Sequence, residues 1–259
     1  MPNADGCSVL EVATPRTRWG TTIVAIHGDL HSMIVEQQEA SETVDLAFDE
    51  QPFKIRIAKK DSHRGAASLL ISKMYSWRGY ESAPLRAHPN RLTLVASGTR
   101  QHVGTLSIGF DSPIGMLVDD LYKPEVDALR SSGARLCEAI KLAVDRKARS
   151  KRVLAAMFHI AVIYAYRVRR ATDMLIEVNP RHVKYYENMF GFAQLGAERL
   201  NPRVDAPAVL LGVSLERFHG DIRAFGGKPP HTQTAKSLYP YFFPPDDEEG
   251  IVRRFPMLS

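Results

Sequence analysis

Residues 137–144 (CEAIKLAV), 146–152 (RKARSKR), 153–166 (VLAAMFHIAVIYAY), 174–178 (MLIEV) and 179–192 (NPRHVKYYENMFGF) lie in one run whose reading decides the fold. The first and fourth pieces are short, mostly apolar and of strand length. The third has apolar residues on nearly every side, which predicts a helix buried over most of its surface. Placed between two strands, such a helix is the crossover that parallel pairing requires. After the second strand, Asn179 suits an N-cap, Pro180 a first helical turn and Gly191 a helix C-terminus. The run therefore reads strand, basic turn, helix, strand, capped helix, a βαβα unit.

Working outward, residues 53–58 (FKIRIA) alternate, with Phe53, Ile55 and Ile57 on one face, as in a half-buried strand. Residues 65–80 carry Leu69, Leu70, Met74 and Trp77 at helical spacing. Residues 91–98 and 103–110 are strand-like runs separated by Thr99, Arg100, Gln101 and His102, an antiparallel hairpin. Residues 111–124 (DSPIGMLVDDLYKP) read as a structured loop, and 126–136 as a short helix leading into the central unit. Two more strands follow at 194–200 and 208–214, joined by a turn at 201–207. The expected fold class is mixed α/β, one sheet flanked by helices. It divides into an N-terminal arm of uncertain order (1–50), a main domain (51–217) and a C-terminal Pro- and aromatic-rich tail (218–259). In the tail, YPYFF at 239–243 runs into Pro244 and Pro245 and cannot continue as a regular helix. Exposing so many aromatics is costly, which predicts that the tail packs back over the domain.

At 259 residues, 44% hydrophobic and 24% charged, the chain is that of an ordinary globular protein with room for a large core. A net charge of +5 permits an acidic partner. Nucleic acid is not expected, because zinc-finger spacing and aromatic-basic RNA-binding motifs are absent. The two cysteines, Cys7 and Cys137, suggest neither a disulfide scaffold nor a metal site, and Cys137 reads as a small buried hydrophobe. Asp5 and Glu11 interrupt a terminus without an apolar segment, unlike a signal peptide. The longest apolar run, 153–166, contains His159 and falls short of the roughly 20 residues of a membrane span. The expectation is a cytoplasmic enzyme or binding protein without a stable membrane span.

Residues 138–145 (EAIKLAVD) resemble a stretch of the LuxI-type acyl-homoserine-lactone synthases, in which Glu is followed three residues later by Arg and then by apolar-Ala-Val-Asp. Glu138 occupies the Glu position and Lys141 stands where the Arg would be, so a planar fork becomes a point charge. Residues 73–80 (KMYSWRGY), 179–192 and 237–251 (SLYPYFFPPDDEEGI) look more like the related N-acyl amino acid synthases of the FeeM type. The element order is similar to that of the GNAT acyltransferase superfamily, and the likeness spans roughly residues 53–251. The resemblance implies transfer of a long acyl chain from acyl carrier protein to the amine of an amino acid. Acyl-phosphopantetheine would then be the donor substrate, and no tightly bound cofactor is implied. Two rival readings are an acyl-homoserine-lactone synthase using S-adenosylmethionine and a non-catalytic acyl- or carrier-binding module of the same fold.

Aminolysis of a thioester needs a neutral amine and a donor for the oxyanion. Glu138 and Glu177 are the carboxylates inside the predicted central strands, and apolar neighbours would raise the pKa of Glu138 toward that of a general base. Its other reading is a carboxylate at a solvent edge or paired with a lysine. Lys141, three residues on, reaches the same site only if the strand is bulged. The resemblance implies such a bulge, a splay from the next strand, and a free backbone N–H near Ala143 or Val144 for the thioester oxygen. It also implies a tyrosine near the leaving sulfur, Tyr186 or the adjacent Tyr185. Arg146, Arg149, Lys151 and Arg152, beside a helix start and without a glycine loop, suit an acidic carrier better than a pyrophosphate, or else form a solvated charge run. Tyr75, Trp77, Arg78 and Tyr80 could shape the acceptor pocket or simply pack. His159 reads as a satisfied core histidine.

Overall fold

A computed structural model describes residues 22–26 (as backbone), 53–76, 84–99, 101–145, 151–228, 237–253 and 255. Its strands are β1 (Thr22–Ile26), β2 (Phe53–Ile57), β3 (Arg91–Ser97), β4 (His102–Phe110), β5 (Leu136–Val144), β6 (Asp173–Val178), β7 (Ala193–Gln194), β8 (Arg199–Asn201) and β9 (Ala206–Ser214). Its helices are α1 (Asp61–Ser76), α2 (Asp119–Ser131), α3 (Lys151–Val162), α4 (Val183–Phe190), α5 (Leu215–Phe225) and α6 (Pro245–Val252). The strands form one mixed sheet in the order β1-β2-β3-β4-β5-β6-β9-β7, with β8 beside β9. Among the described residues only β5 and β6 pair in parallel, joined by the buried crossover α3.

In α3, ten of twelve residues are buried, and the apolar surface predicted on nearly every side is satisfied by sheet on one flank and tail on the other. A π-helical turn, Ile163–Val168, ends the crossover. Asn179 accepts a hydrogen bond from the Arg181 N–H, and Gly191 closes α4 at φ 75°, a left-handed conformation that favours glycine. The opposite face of the sheet is covered twice. Ala67, Leu70, Ile71 and Met74 of α1 pack on Val95 and Ala143, while Tyr122 and Val126 of α2 pack on Leu136, Leu175 and Leu210.

Four elements depart from the sequence reading. The strand read at 194–200 is two short ones, β7 and β8, each paired with β9. Helix α2 starts at Asp119, inside the stretch read as loop, and ends at Ser131, short of residue 136. Asp119 and Asp120 suit its first turn, and the chain accommodates Pro124 by a non-helical Tyr122 (φ −125°, ψ 32°). Helix α5 is capped by Ser214 and buries Leu215, Phe218, His219 and Ile222, a helical spacing hidden by the Pro- and Gly-rich sequence after it. It crosses residue 217, so the tail begins inside an element of the domain. Helix α6 begins at Pro245 with Asp246, Asp247 and Glu248 in its first turn, where proline is tolerated and acids are favoured. Leu238, Tyr239, Phe242, Phe243, Ile251 and Phe255 are all in the main core. His159 is a core histidine satisfied at one nitrogen: its Nδ1 accepts from the Phe243 N–H at 3.1 Å, while its buried Nε2 has no hydrogen-bond partner. Among the described residues, no helix is long and apolar enough to cross a membrane.

Candidate active site

The site starts from a defect in β5. Thr105 faces Ala143 and Ser107 faces Ile140, so Leu106 opposes both Lys141 and Leu142. This is a β-bulge. Lys141 sits at φ 54° to make it, a left-handed conformation costing a non-glycine residue about 1–3 kcal/mol. On its other edge β5 pairs with β6 only from Leu136↔Asp173 to Glu138↔Leu175, after which the strands part. A cavity of about 850 Å³ opens there, lined by both strands, by Ile71, Met74 and Tyr75 of α1, and by Leu117 and Val118 just before α2. The bulge lets Glu138 and Lys141, three residues apart, line the same cavity.

Ladder geometry separates the two oxyanion candidates. The Asp145 N–H donates to the Val103 carbonyl at 2.8 Å. Backbone groups alternate along a strand, so the Ala143 N–H also turns toward β4, while that of Val144 turns toward the side from which β6 has departed. Ala143 is thereby corrected to a core position packed under α1.

Glu138 is 2% exposed. Its Oε1 accepts from the Leu117 N–H at 3.0 Å and its Oε2 from the Val118 N–H at 3.1 Å. Burial pushes its carboxyl above the usual range, against the lowering effect of those two N–H groups. The loop that supplies them is clamped by Arg130, whose guanidinium bonds Asp111, Asp119 and Asp127, while Asp119 accepts from the Met116 N–H. Opposite Glu138 in β4 stands Gly109, where a Cβ would lie 2.8 Å from Glu138 Oε1 and 3.0 Å from its Cγ. Gly109→Ala should therefore displace the carboxylate and lower kcat about tenfold to a hundredfold, with a smaller effect on unfolding by urea. Unchanged kcat would show that the carboxylate's position does not matter.

Tyr185 and Tyr186 both line the cavity, with rings 5.6 Å apart at 89°, and burial raises the Tyr185 phenol. Tyr75 lines it too. Lys151 and Arg152 do not: the Lys151 ammonium lies 5.5 Å over the Tyr241 ring. Arg152 is 6% exposed and so is removed from any docking rim. Trp77, Arg78, Tyr80, Arg146 and Arg149 lie outside the described residues.

Other charged groups of the cavity were not assigned from sequence. Glu177 Oε2 accepts from Asn201 Nδ2 at 2.8 Å and from Arg203 Nη2 at 2.5 Å, while its Oε1 is buried without a hydrogen-bond partner. Burial raises its carboxyl, and Arg203 and Asn201 work the other way. The strand period places Glu177 on one face of β6, but no spacing links it to residues beyond β8. Arg91, at the start of β3, also lines the cavity.

The family model for the N-acyl amino acid synthase FeeM matches residues 66–214. Among curated proteins no match was found. The solved structure of FeeM, an N-acyl amino acid synthase from uncultured soil microbes, is 26% identical and superposes with a TM-score of 0.60, covering 65% of this chain and 93% of that one. Fainter likenesses are a spermidine N-acetyltransferase from Vibrio cholerae (12% identity, TM-score 0.45, 64% and 98% covered) and the CoA-dependent acyl-homoserine lactone synthase BjaI (14%, 0.44, 62% and 80%). Neither of these two bears on the reaction. The match over more than half the chain, on a fold with the bulged and splayed β5 that the resemblance implied, identifies an acyltransferase: the chain belongs to the FeeM family of N-acyl amino acid synthases.

Proposed function

We propose that this chain transfers a long-chain acyl group from the phosphopantetheine arm of acyl carrier protein to the amine of an amino acid, forming an N-acyl amino acid. The observation that carries this reading is the cavity between β5 and β6, where apolar walls suited to an acyl chain meet a buried carboxylate, Glu138, and a cation, Lys141. The amine nitrogen attacks the thioester carbonyl carbon, the C–N bond forms, and Glu138 takes the amine proton directly or through a water. The oxyanion faces the Val144 N–H. Collapse breaks the C–S bond, and the departing sulfur, a thiolate of pKa about 8.5, needs little help. Tyr186 is the hydroxyl assigned to it.

Arg146, Arg149 and Lys151 are the residues we assign to docking the acidic carrier. Arg86 and Arg181, both exposed where they line the cavity, add positive charge to its mouth. The expected setting is the cytoplasm. Purified protein incubated with long-chain acyl carrier protein and the twenty amino acids should yield one or a few N-acyl amino acids by mass spectrometry. Parallel incubations with acyl-coenzyme A and with S-adenosylmethionine test the donor and the lactone-forming alternative. Carrier binding without any product would favour a non-catalytic module and sink the synthase reading.

A further inference from the structure

The cavity holds an arginine that the reaction scheme leaves unused. Arg91 opens β3, faces Gly109 in β4, and Gly109 in turn faces Glu138 in β5, so the three share one face of the sheet. Because Gly109 carries no side chain, the Glu138 side chain leans over it, and both Glu138 and Arg91 line the cavity. Arg91 Nε is buried without a hydrogen-bond partner, and among the described residues its side chain forms no ion pair. A buried guanidinium donor left unsatisfied is unfavourable, and a planar anion is the partner its geometry fits. Other cations around the cavity are placed differently. Arg203 is committed to Glu177, Asp120 and the Leu117 carbonyl, and Arg181 and Arg86 are exposed. The charge of Arg91 reaches both neighbours in the cavity, favouring the ionised form of Glu138 and, after burial, disfavouring that of Lys141.

We propose that Arg91 binds the α-carboxylate of the acceptor amino acid and so sets the enzyme's preference for amino acids over plain amines. The inference rests on the proposed N-acylation of an amino acid. It adds an orientation: two strand spacings, about 10 Å between Cα atoms, separate Arg91 from Glu138. Both side chains line the cavity from one face of the sheet, so an α-amino acid, whose amine and carboxylate are one carbon apart, would present its carboxylate to Arg91 and its amine to Glu138.

Two probes share every feature except the anion, N-dodecanoylglycine and N-dodecanoylglycinamide. In isothermal titration the wild-type protein should bind the acid at least tenfold more tightly than the amide, and Arg91→Gln should bind the two about equally, with its affinity for the amide little changed. Arg91→Lys, which keeps the charge and loses the fork, should fall between. An acid-to-amide ratio unchanged in Arg91→Gln overturns the proposal. Should Arg91→Gln lose amide binding as well, Arg91→Lys decides, an intermediate ratio supporting the proposal and a wild-type ratio overturning it. A wild-type protein that binds neither probe would instead remove the N-acyl amino acid reading on which the inference rests.

Discussion

Glu138→Gln is expected to lower kcat about 10²- to 10³-fold while leaving acyl-donor binding within a small factor. The carboxylate is the group assigned to take the amine proton, and burial lifts its pKa toward the range in which a base works near neutral pH. The base must be ionised to act, so activity should rise with pH through a limb lying above the ordinary carboxylate range. That limb should disappear in the variant. Gln brings a complication that the structure makes visible. One of its two side-chain positions becomes an NH₂ facing the backbone N–H of Leu117 or Val118, both of which now donate to carboxylate oxygens. Some loosening of the loop before α2 follows. It is limited because the folded state, by raising this pKa, already disfavours the ionised form, and removing the charge offsets part of the lost hydrogen bond. A full pH profile beside a urea melt separates the two effects. A variant with wild-type kcat would sink Glu138 as the base and move attention to Glu177, whose Oε1 is buried and has no hydrogen-bond partner.

Glu248→Ala is expected to destabilise the fold by about 3 kcal/mol, because breaking a buried charged network strands its other members. For a chain of this size that lowers Tm by about 6–12 °C. Glu248 is 3% exposed although it lies in the tail. Its Oε1 meets His219 Nε2 and Arg167 Nη1, each at 2.7 Å, and its Oε2 lies 3.5 Å from His159 Nε2. Arg167, 31% exposed, can turn partly to water, so most of the loss belongs to the two histidines. Burial pushes the Glu248 carboxyl up, but His159 and His219 beside it outweigh this and hold it well below the usual range. His159 is itself lowered, chiefly by burial. Both shifts have the same sign for stability. Folding binds fewer protons at each group than the unfolded chain does, so the contribution is present above the unfolded pKa values and is lost on acidification. Wild-type stability should begin to fall below about pH 6.5 as His159 titrates in the unfolded chain, and further below about 4.5 as Glu248 does. In Glu248→Ala the second decline should be reduced. A melt shift under about 1 kcal/mol would mean that the tail is held by its aromatics alone.

Much of the central unit was legible in local chemistry. The apolar runs of β5 and β6, the nearly all-apolar α3, the Asn179 cap and the left-handed Gly191 each follow from residues close in sequence, and each was found where expected. The strict alternation of β2 and the β3–β4 hairpin follow from the same short-range rules. The first turns of α2 were read as loop because of the turn formers around them, and α6 was missed because its prolines were read as a stop, whereas in the structure proline is tolerated, at a kink in α2 and at the first residue of α6. Helix α5 had the periodicity of a helix, and its composition hid it.

The site divides along the same line. The sequence by itself determined that Glu138 and Lys141 lie on a central strand beside a buried helix, since side-chain hydrophobicity and period are local properties. Only the tertiary structure decided that Glu138 is held by Leu117 and Val118, that the Val144 N–H rather than that of Ala143 faces the opening, and that Arg91 and Glu177 line the same cavity. Arg91, Gly109 and Glu138 become neighbours through strand register, and Glu177 meets Arg203 only when β8 folds onto β9. Such contacts are set by how the whole sheet pairs, and pairing joins residues whose separation along the chain carries no trace of it.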